Sequence, residues 1–240
     1  MQRARADNGT TVVSIFVNPR QFGDPADLAR YPRNEAHDVA VCEAEGVDIV
    51  FAPSVDEVYP PGFDSLVRVG AIAQPLEGSA RPGHFDGVAT VVAILFGLVR
   101  AEQAYFGQKD AQQVAVIRRM SIDLAIPTEV VACPTIREPD GLAMSSRNVH
   151  LSPAERLAAP VLHRALRAAR EAWEAGERSG DALRSIMRGV LAGQPLAVVE
   201  YVSCAEADSL RELAIVTGPA LLSLAVQIGT TRLIDNEPLG

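Results

Sequence analysis

Residues 11–17 read TVVSIFV, a run that is β-branched or apolar at nearly every position. A strand with one exposed face alternates apolar and polar residues. An uninterrupted run is instead typical of a strand covered on both faces, as in a parallel sheet. Residues 47–52 have the same texture and stop at Pro53, as the first run stops at Asn18 and Pro19. These two segments predict the start of a buried parallel sheet.

Strand-like and helix-like segments continue to alternate as far as Pro134. Further strands are predicted over residues 66–69, 103–106 and 128–133. Helices are predicted over residues 34–45, 84–101 and 111–124. The middle helix is apolar nearly all round, so we expect it to lie buried against the sheet or against a partner subunit. This alternation indicates an α/β layer fold with a mostly parallel sheet.

A long helical segment, residues 151–175, opens the last part of the chain. Ser152 is its predicted N-cap, Pro153 occupies the first helical position, and Glu155 completes a capping arrangement. Pro160 is expected to kink the helix, because proline lacks the backbone N–H that an internal position needs.

A second helix and three strands are predicted to follow. They cover residues 181–191, 198–204, 221–228 and 232–234, the last two strands being joined by Gly229 and Thr230. Helices followed by an antiparallel sheet indicate a separate α+β domain. We therefore place a first domain at residues 1–135 and a smaller second domain at residues 136–240.

The composition limits the classes of function. Hydrophobic residues make up 48% of the 240, which is enough for a large core, and the net charge is −8. An acidic chain lacks the basic surface that binding to nucleic acid requires. The longest apolar run, residues 88–99, is too short to span a bilayer, so no membrane association is expected. Three widely spaced cysteines with no Cys-x-x-Cys pattern indicate reduced thiols in a cytoplasmic protein and no zinc site.

A turn signal at residues 139–141 leads into Met144, Ser145, Ser146 and Arg147. Two hydroxyl groups and a guanidinium side by side suit the oxygens of a phosphate group, and Met144 could lie against a base or a sugar. Read alone, such a loop is more often a solvated turn or a helix cap, because serine is common in both.

Other polar side chains follow the ends of two predicted strands. Gln21 comes after the first strand; Lys109 and Gln113 come after the strand that ends at Gly107. Ligands of open α/β sheets bind at the carboxyl ends of the strands, so these side chains are predicted to share one rim with the serine-rich loop. Each one read singly could be an ordinary polar surface residue.

A loop rich in glycine and proline covers residues 76–85 and contains Glu77, Arg81 and His84. It could be a flexible lid that carries charge to the site, or it could simply cap the helix that follows. Asp38 could assist a magnesium ion, although an isolated aspartate in a helix is usually solvated. The sequence contains no P-loop and no Gly-x-Ser-x-Gly nucleophile motif.

The chain closely resembles the pantothenate synthetase (pantoate–β-alanine ligase) family. The resemblance covers residues 12–236 and rests on the segments VVSIFVNPRQFG, LARYPR, LEGSARPGHFDGV, FGQKDAQQ, IREPDGLAMSSRN and GTTRLIDN, in this order and spacing. It implies a nucleotidyltransferase-type Rossmann domain, a smaller C-terminal domain and a homodimer. It also implies that ATP with Mg²⁺ activates the carboxylate of (R)-pantoate, and that β-alanine then attacks the bound pantoyl adenylate to give pantothenate and AMP.

The resemblance also assigns roles to individual residues. Gln21 and Gln113 would hold pantoate, and Asp38 would assist the metal ion. Arg81 and His84 would lie, with Glu77, in the family's flexible loop. The ATP-binding residues would be Gly107, Lys109, Asp110, Met144, Ser145, Ser146 and Arg147, with Asp110 at the ribose and the lysine, serines and arginine at the phosphates as the catalytic set.

The family pattern also includes features that are not found in this sequence. These are a first strand, a Pro-Thr-Met-Gly turn and a His-x-Gly-His motif, whose position would lie before Met1. The missing strand would be central in the sheet, so we expect this chain to be an N-terminally truncated form with little or no turnover by itself. One alternative function is that of an inactive homologue serving as a binding or scaffolding subunit. A weaker one is that of another adenylyltransferase of the same superfold, which would differ in what Gln21 and Gln113 bind.

Overall fold

A computed structural model describes residues 1–23 and 25–240 of the chain, apart from the side chain of residue 27. The helices are α1 Gln2–Asp7, α2 Pro25–Arg30, α3 Glu35–Ala44, α4 Val55–Val58, α5 Glu77–Ala80, α6 His84–Val99, α7 Ala111–Asp123, α8 Pro153–Ala158, α9 Val161–Glu174 and α10 Gly180–Ala192. The strands are β1 Val12–Ser14, β2 Ile49–Phe51, β3 Gln103–Gly107, β4 Glu129–Cys133, β5 Ala197–Glu206, β6 Ala220–Ile228 and β7 Thr231–Leu239. Short 3-10 helices cover Pro19–Gln21, Ala71–Ala73, Gln108–Asp110 and Ser146–His150.

The chain divides into two compact units. The first unit comprises Met1–Phe106 and Val116–Cys133, and the second comprises Gly107–Ala115 and Pro134–Gly240. Residues 107–115 therefore group with the C-terminal part of the chain. Within the second unit, the Asn236 amide donates hydrogen bonds to the carbonyls of Gln108 and Lys109, which ties the turn after β3 to strand β7. The domain boundary between residues 135 and 136 stays a prediction.

The first unit contains the first two predicted strands, but the expectation that both faces are covered is wrong: no residue of β1 or β2 is fully buried, and Ile49 is 52% exposed. β1 pairs in parallel with β2, with Val12 opposite Ile49, and β3 pairs with β4. Helix α6 buries most of its length, including Val88, Ala89 and Val92, as its apolar sequence predicts. Strands and helices alternate in this part of the chain, and the predicted α/β class is confirmed.

The strand predicted at residues 66–69 does not form. The backbone N–H of Val67 donates to the Thr90 hydroxyl at 3.0 Å, and the Arg68 guanidinium pairs with Asp86 at 3.0 Å. Both partners lie on α6, so this segment contacts a helix, and no strand of the described residues pairs with it. Of the apolar residues that suggested a strand, Val69 is buried, Val67 is half-buried and Leu66 is 53% exposed.

The second unit is built on an antiparallel sheet in the order β5–β6–β7. β6 is the central strand and is buried along nearly all of its length, because it has a strand on each side and helices packed over the sheet. Helices α9 and α10 pack against each other, α9 also contacts β7, and α10 also contacts β5. Gly229 and Thr230 form the turn between β6 and β7, as predicted.

The predicted long helix over residues 151–175 is two helices. Ser152 and Glu155 form a capping box, in which each side chain bonds the other residue's backbone N–H, and Pro153 lies in the first turn. The helix stops at Ala158, and α9 begins after Pro160. A break replaces the expected kink because Pro160 has no N–H to continue the hydrogen bonds of α8. Within the described ranges, no helix is long and apolar enough to cross a membrane.

Candidate functional site

Asn18 is the centre of a buried polar cluster in the first unit. Its Oδ1 accepts hydrogen bonds from the Tyr59 hydroxyl at 2.8 Å and from the Arg20 backbone at 3.2 Å. Its Nδ2 donates to the Gly87 carbonyl at 3.0 Å and to Gln21 Oε1 at 3.2 Å. Both ends of this amide are thus bonded, so Asn18 fixes the 3-10 helix Pro19–Gln21 after β1 and orients the side chain of Gln21.

Arg81 and His84 meet at the backbone of Gln21. The Gln21 carbonyl accepts from Arg81 Nη2 at 3.3 Å and lies 2.9 Å from Nδ1 of the buried His84. Glu77 is also buried, at the first position of α5. These three residues were expected in a loop that acts as a lid or caps the next helix. They lie in a folded segment of the first unit that leads into α6. Its proposed flexibility stays a prediction.

Gly87 allows α6 to approach the backbone that carries Gln21. A Cβ atom at this position would lie 2.3 Å from the Arg20 carbonyl oxygen and 2.7 Å from the Gln21 nitrogen. Both distances are far shorter than a van der Waals contact, so only glycine fits without movement of the backbone. The glycine therefore helps, together with Asn18, to position Gln21.

Lys109 lies in the second unit, in the 3-10 helix Gln108–Asp110 directly before α7. Its ammonium group is 3.5 Å from the Asp110 carboxylate, and only 18% of its side chain is exposed. Lys109 is the single lysine in a chain whose other basic side chains, apart from histidine, are all arginine. A confined ammonium group before a helix N-terminus is well suited to hold an anion.

The loop Met144–Arg147 also belongs to the second unit. Ser145 is the N-cap of the 3-10 helix Ser146–His150, and its hydroxyl oxygen accepts from the Arg147 backbone at 3.2 Å. A hydroxyl that accepts in this way keeps its own proton to donate to a ligand. Met144 is 57% exposed, which leaves its thioether side chain accessible.

Strand β7 contacts both the 3-10 helix of Lys109 and the 3-10 helix that follows Ser145. On this strand Asp235 is buried and receives both arms of the Arg137 guanidinium, at 2.7 and 3.0 Å. Arg137 also donates to the carbonyl of Gly141, in the turn that leads to the serines, at 3.1 Å. The second unit therefore brings the two predicted phosphate-binding elements to one strand.

The remaining predicted residues lie outside the Asn18 cluster and the contacts of β7. Gln113 is half-buried near the start of α7 in the second unit, and Gly107 ends β3. Asp38 is exposed in the first turn of α3 in the first unit. Among the described residues, no group of three or more His, Cys, Asp or Glu side chains could hold a metal ion. The metal role of Asp38 stays a prediction.

The family model of pantoate–β-alanine ligases matches residues 1–238. The chain belongs to the pantoate–β-alanine ligase family. It is 63% identical over 236 residues to the pantothenate synthetase of Roseiflexus sp. (strain RS-1), a match that covers 98% of this chain and 85% of the relative. The pantothenate synthetase of Heliobacterium modesticaldum is 53% identical, covering 98% and 84%.

Solved structures of pantoate–β-alanine ligases share this fold. The pantothenate synthetase of Thermus thermophilus superposes with a TM-score of 0.95 at 47% identity, covering 98% of this chain and 86% of that one. The ligase of Francisella tularensis has a TM-score of 0.79 at 33% identity, covering 98% and 82%, and was crystallised with a β,γ-ATP compound and β-alanine. Members of this family are ATP-dependent ligases, and the comparisons give no support to the alternative of a scaffolding subunit.

In each unit, residues that hold the candidate side chains in place were not predicted from the sequence. In the sequence, Asn18 marks only the end of a predicted strand, and nothing assigns a role to Arg137, Asp235 or Asn236. Their partners lie far along the chain: Asn236 and Gln108, for example, are 128 residues apart. No short-range sequence pattern marks these supporting residues.

His163 gives the second unit a predicted pH dependence. Burial, and then the nearby Arg137 charge, lower its pKa below the usual value of about 6.5. The folded state therefore favours neutral His163. Its contribution to stability is complete above about pH 6.5 and is lost as the pH falls from there through the lowered pKa. We expect the unfolding midpoint of the wild type to fall more steeply below about pH 6.5 than that of His163→Gln, measured in urea. Parallel curves would show that His163 makes no such contribution.

Proposed function

We propose, against the expectation of little or no turnover drawn from the missing N-terminal motifs, that this chain condenses (R)-pantoate with β-alanine to form pantothenate, consuming ATP and releasing AMP and pyrophosphate through a pantoyl-adenylate intermediate. Membership of the pantoate–β-alanine ligase family supports this reaction. The observation that carries it is the convergence on strand β7 of Lys109 and the loop that ends at Arg147, two cationic elements within one compact unit.

In the first step, a carboxylate oxygen of pantoate attacks the α-phosphorus of ATP. A P–O bond forms, the bond between the α-phosphorus and the bridging oxygen breaks, and pyrophosphate leaves with the electron pair. Negative charge grows on the phosphate oxygens in the transition state. Lys109, the two serine hydroxyls and Arg147 are the proposed donors that stabilise it, because fixed donors and cations are most effective where charge develops.

In the second step, the amine of β-alanine attacks the carbonyl carbon of pantoyl adenylate. The C–N bond forms, the C–O bond to AMP breaks, and the amine loses protons to the surroundings. Gln21 and Gln113 are the proposed pantoate ligands, since an amide can donate to a carboxylate and accept from a hydroxyl. The four hydrogen bonds of Asn18 support this role for Gln21 by fixing its Oε1.

The remaining contacts to ATP are proposed by family resemblance. Asp110 would bond the ribose, Gly107 would let the backbone approach the nucleotide, and the exposed side chain of Met144 would pack against it. Mg²⁺ would be held mainly by the phosphates of ATP with Asp38 assisting, an arrangement that suits an ion that usually keeps several water ligands. When bound, the ion would neutralise charge on the phosphate oxygens.

We also propose a cytoplasmic homodimer. The three cysteines are free thiols, which suits a reducing compartment. In the first unit, exposed apolar side chains near the ends of α6 and α7, such as Leu98 and Ile122, support association with a second copy. Light scattering coupled to gel filtration would measure the mass, and a purely monomeric protein would contradict the dimer.

The test of the proposed function uses the single lysine. An amine-selective acylating reagent modifies Lys109 and the α-amino group, and peptide mass spectrometry follows the two separately. Saturating ATP with Mg²⁺ is expected to slow the acylation of Lys109 at least about tenfold, because phosphate oxygens would occupy the ammonium group. The α-amino group is the internal control. Equal Lys109 rates with and without ATP, or the absence of pantoate-dependent pyrophosphate release, would contradict the proposal.

A further inference from the structure

Asn236 is a buried amide that serves two carbonyl groups of the lysine-bearing turn. Its Nδ2 donates to the Gln108 carbonyl at 2.9 Å and to the Lys109 carbonyl at 2.8 Å, and only 4% of the residue is exposed. Gln108 Nε2 returns a hydrogen bond to Asn236 Oδ1 at 3.4 Å. One side chain of β7 therefore determines where the backbone of the 3-10 helix Gln108–Asp110 lies.

The same stretch of β7 reaches the serine-rich loop through Arg137. The guanidinium of Arg137 binds Asp235 with both arms, and Nη2 also approaches the Asn236 carbonyl at 3.4 Å. Arg137 additionally forms a backbone bridge with Ala143, the residue before Met144. A continuous series of hydrogen bonds thus leads from the Lys109 carbonyl through Asn236 and Arg137 to the start of the loop.

We propose that Asn236 is a positioning residue for the attack of pantoate on the α-phosphorus of ATP. Together with Asp235 and Arg137, it holds Lys109 and the Ser145–Arg147 loop in a fixed relative position. This inference rests on the proposed ligase function, since it assigns these residues a task in that reaction. It goes further by giving β7, a strand of the C-terminal sheet, a part in ATP activation.

The physical reason is that a lysine side chain by itself is a poorly defined cation. It has four rotatable side-chain bonds, and its ammonium group can be placed accurately only if its backbone is held. The Gln108 and Lys109 carbonyls belong to a short 3-10 helix, whose hydrogen-bond geometry is weak, so external donors matter more than in a long helix. A displacement of about 1 Å in a catalytic group can reduce a rate about 100-fold.

A merely structural role for Asn236 predicts something different from a positioning role. If Asn236 only stabilised the sheet, its loss would lower the fraction of folded enzyme, and the rate would fall by the same factor whether or not Lys109 were present. If Asn236 acts by placing Lys109, the effect of its loss depends on Lys109. Residues that act through one another give non-additive effects in a double-mutant cycle.

The experiment measures pyrophosphate release in single-turnover reactions for wild type, Asn236→Ala, Lys109→Ala and the double variant, together with the melting temperature of each. In the wild-type background we expect Asn236→Ala to lower the rate about 10- to 100-fold. In the Lys109→Ala background we expect a further loss below about threefold. Equal losses in both backgrounds would overturn the proposal. Asn236→Asp keeps the volume but removes the donors, and gives the same comparison if the alanine variant folds poorly.

A second measurement does not depend on catalysis. Without ATP, acylation of Lys109 is expected to be several-fold faster in Asn236→Ala, because a released turn exposes the ammonium group. Arg232→Ala is the matched control, because Arg232 also lies on β7 but bonds Glu200 of β5, at 2.8 Å. This variant should leave the rate of pyrophosphate release and the acylation rate of Lys109 unchanged. A wild type that forms no adenylate would refute the ligase function alone. An unchanged acylation rate in folded Asn236→Ala would refute the positioning role.

Discussion

Replacing Lys109 with alanine should lower the rate of pantoate-dependent AMP release by about 10²–10³, with little change in the melting temperature. The rate falls because the variant lacks a cation that would stabilise charge growing on the phosphate oxygens, a loss of about 3–4 kcal/mol of transition-state stabilisation. The melting temperature changes little because the contact from Lys109 to the half-exposed Asp110 is 3.5 Å long. Such pairs contribute at most about 1 kcal/mol. Steady-state kinetics at saturating ATP, with differential scanning calorimetry, check both parts.

Arg119→Ala is the control for this prediction. Arg119 lies on α7, the helix that follows Lys109, and pairs with Asp123 on the exposed helix surface. Its removal deletes a positive charge from α7 and is expected to leave the AMP rate within about twofold of wild type. A rate for Lys109→Ala within a factor of three of wild type would remove Lys109 from the phosphate site.

Replacing Gly87 with alanine should raise the KM for pantoate at least about tenfold and lower the melting temperature by several degrees. The new methyl group would lie 2.5 Å or less from the Arg20 carbonyl carbon and oxygen, so α6 and the 3-10 helix Pro19–Gln21 must move apart. That movement would also stretch the hydrogen bond from Asn18 to the Gly87 carbonyl and misplace Gln21. Overpacking of this kind costs about 1–3 kcal/mol, and 1 kcal/mol shifts the midpoint of a chain this long by about 2–4 °C.

Gly97→Ala is a matched control on the same helix. A Cβ atom at Gly97 meets no other atom within 4 Å, so alanine fits without strain. Alanine is favoured over glycine inside a helix by about 0.5–1 kcal/mol, and this variant should therefore melt slightly higher with an unchanged KM. A Gly87→Ala enzyme with wild-type KM and stability would show that the close approach of α6 is not needed to position Gln21.

Much of the fold could be predicted because the signals were local. The continuous apolar runs at β1 and β2, the apolar surface of α6 and the capping box at Ser152 are each written within a few neighbouring residues. The strand predicted at residues 66–69 does not form, because the contacts of this segment are not local. Its apolar pattern suited a strand, but the partners of Val67 and Arg68 lie on α6, some 20 residues away.

The sequence predicted which side chains are candidates for the site, but it did not predict the residues that hold them in place. Lys109 and the loop ending at Arg147 could be recognised by chemistry and by family resemblance, because phosphate binding calls for particular donors. The residues that hold them, Asn236 among them, carry no distinctive local pattern. A buried amide becomes recognisable only when the atoms around it are known.

By itself, the sequence determined the α/β class, the order of most helices and strands, the family, and the donors that ATP chemistry would use. These follow from side-chain type and short-range spacing. The tertiary structure alone decided that residues 107–115 group with the C-terminal unit, that Gly87 lies against the backbone of Gln21, and that β7 joins Lys109 to the serine-rich loop. Each of these depends on hydrogen bonds or van der Waals contacts between distant segments, and their geometry exists only once the chain has folded.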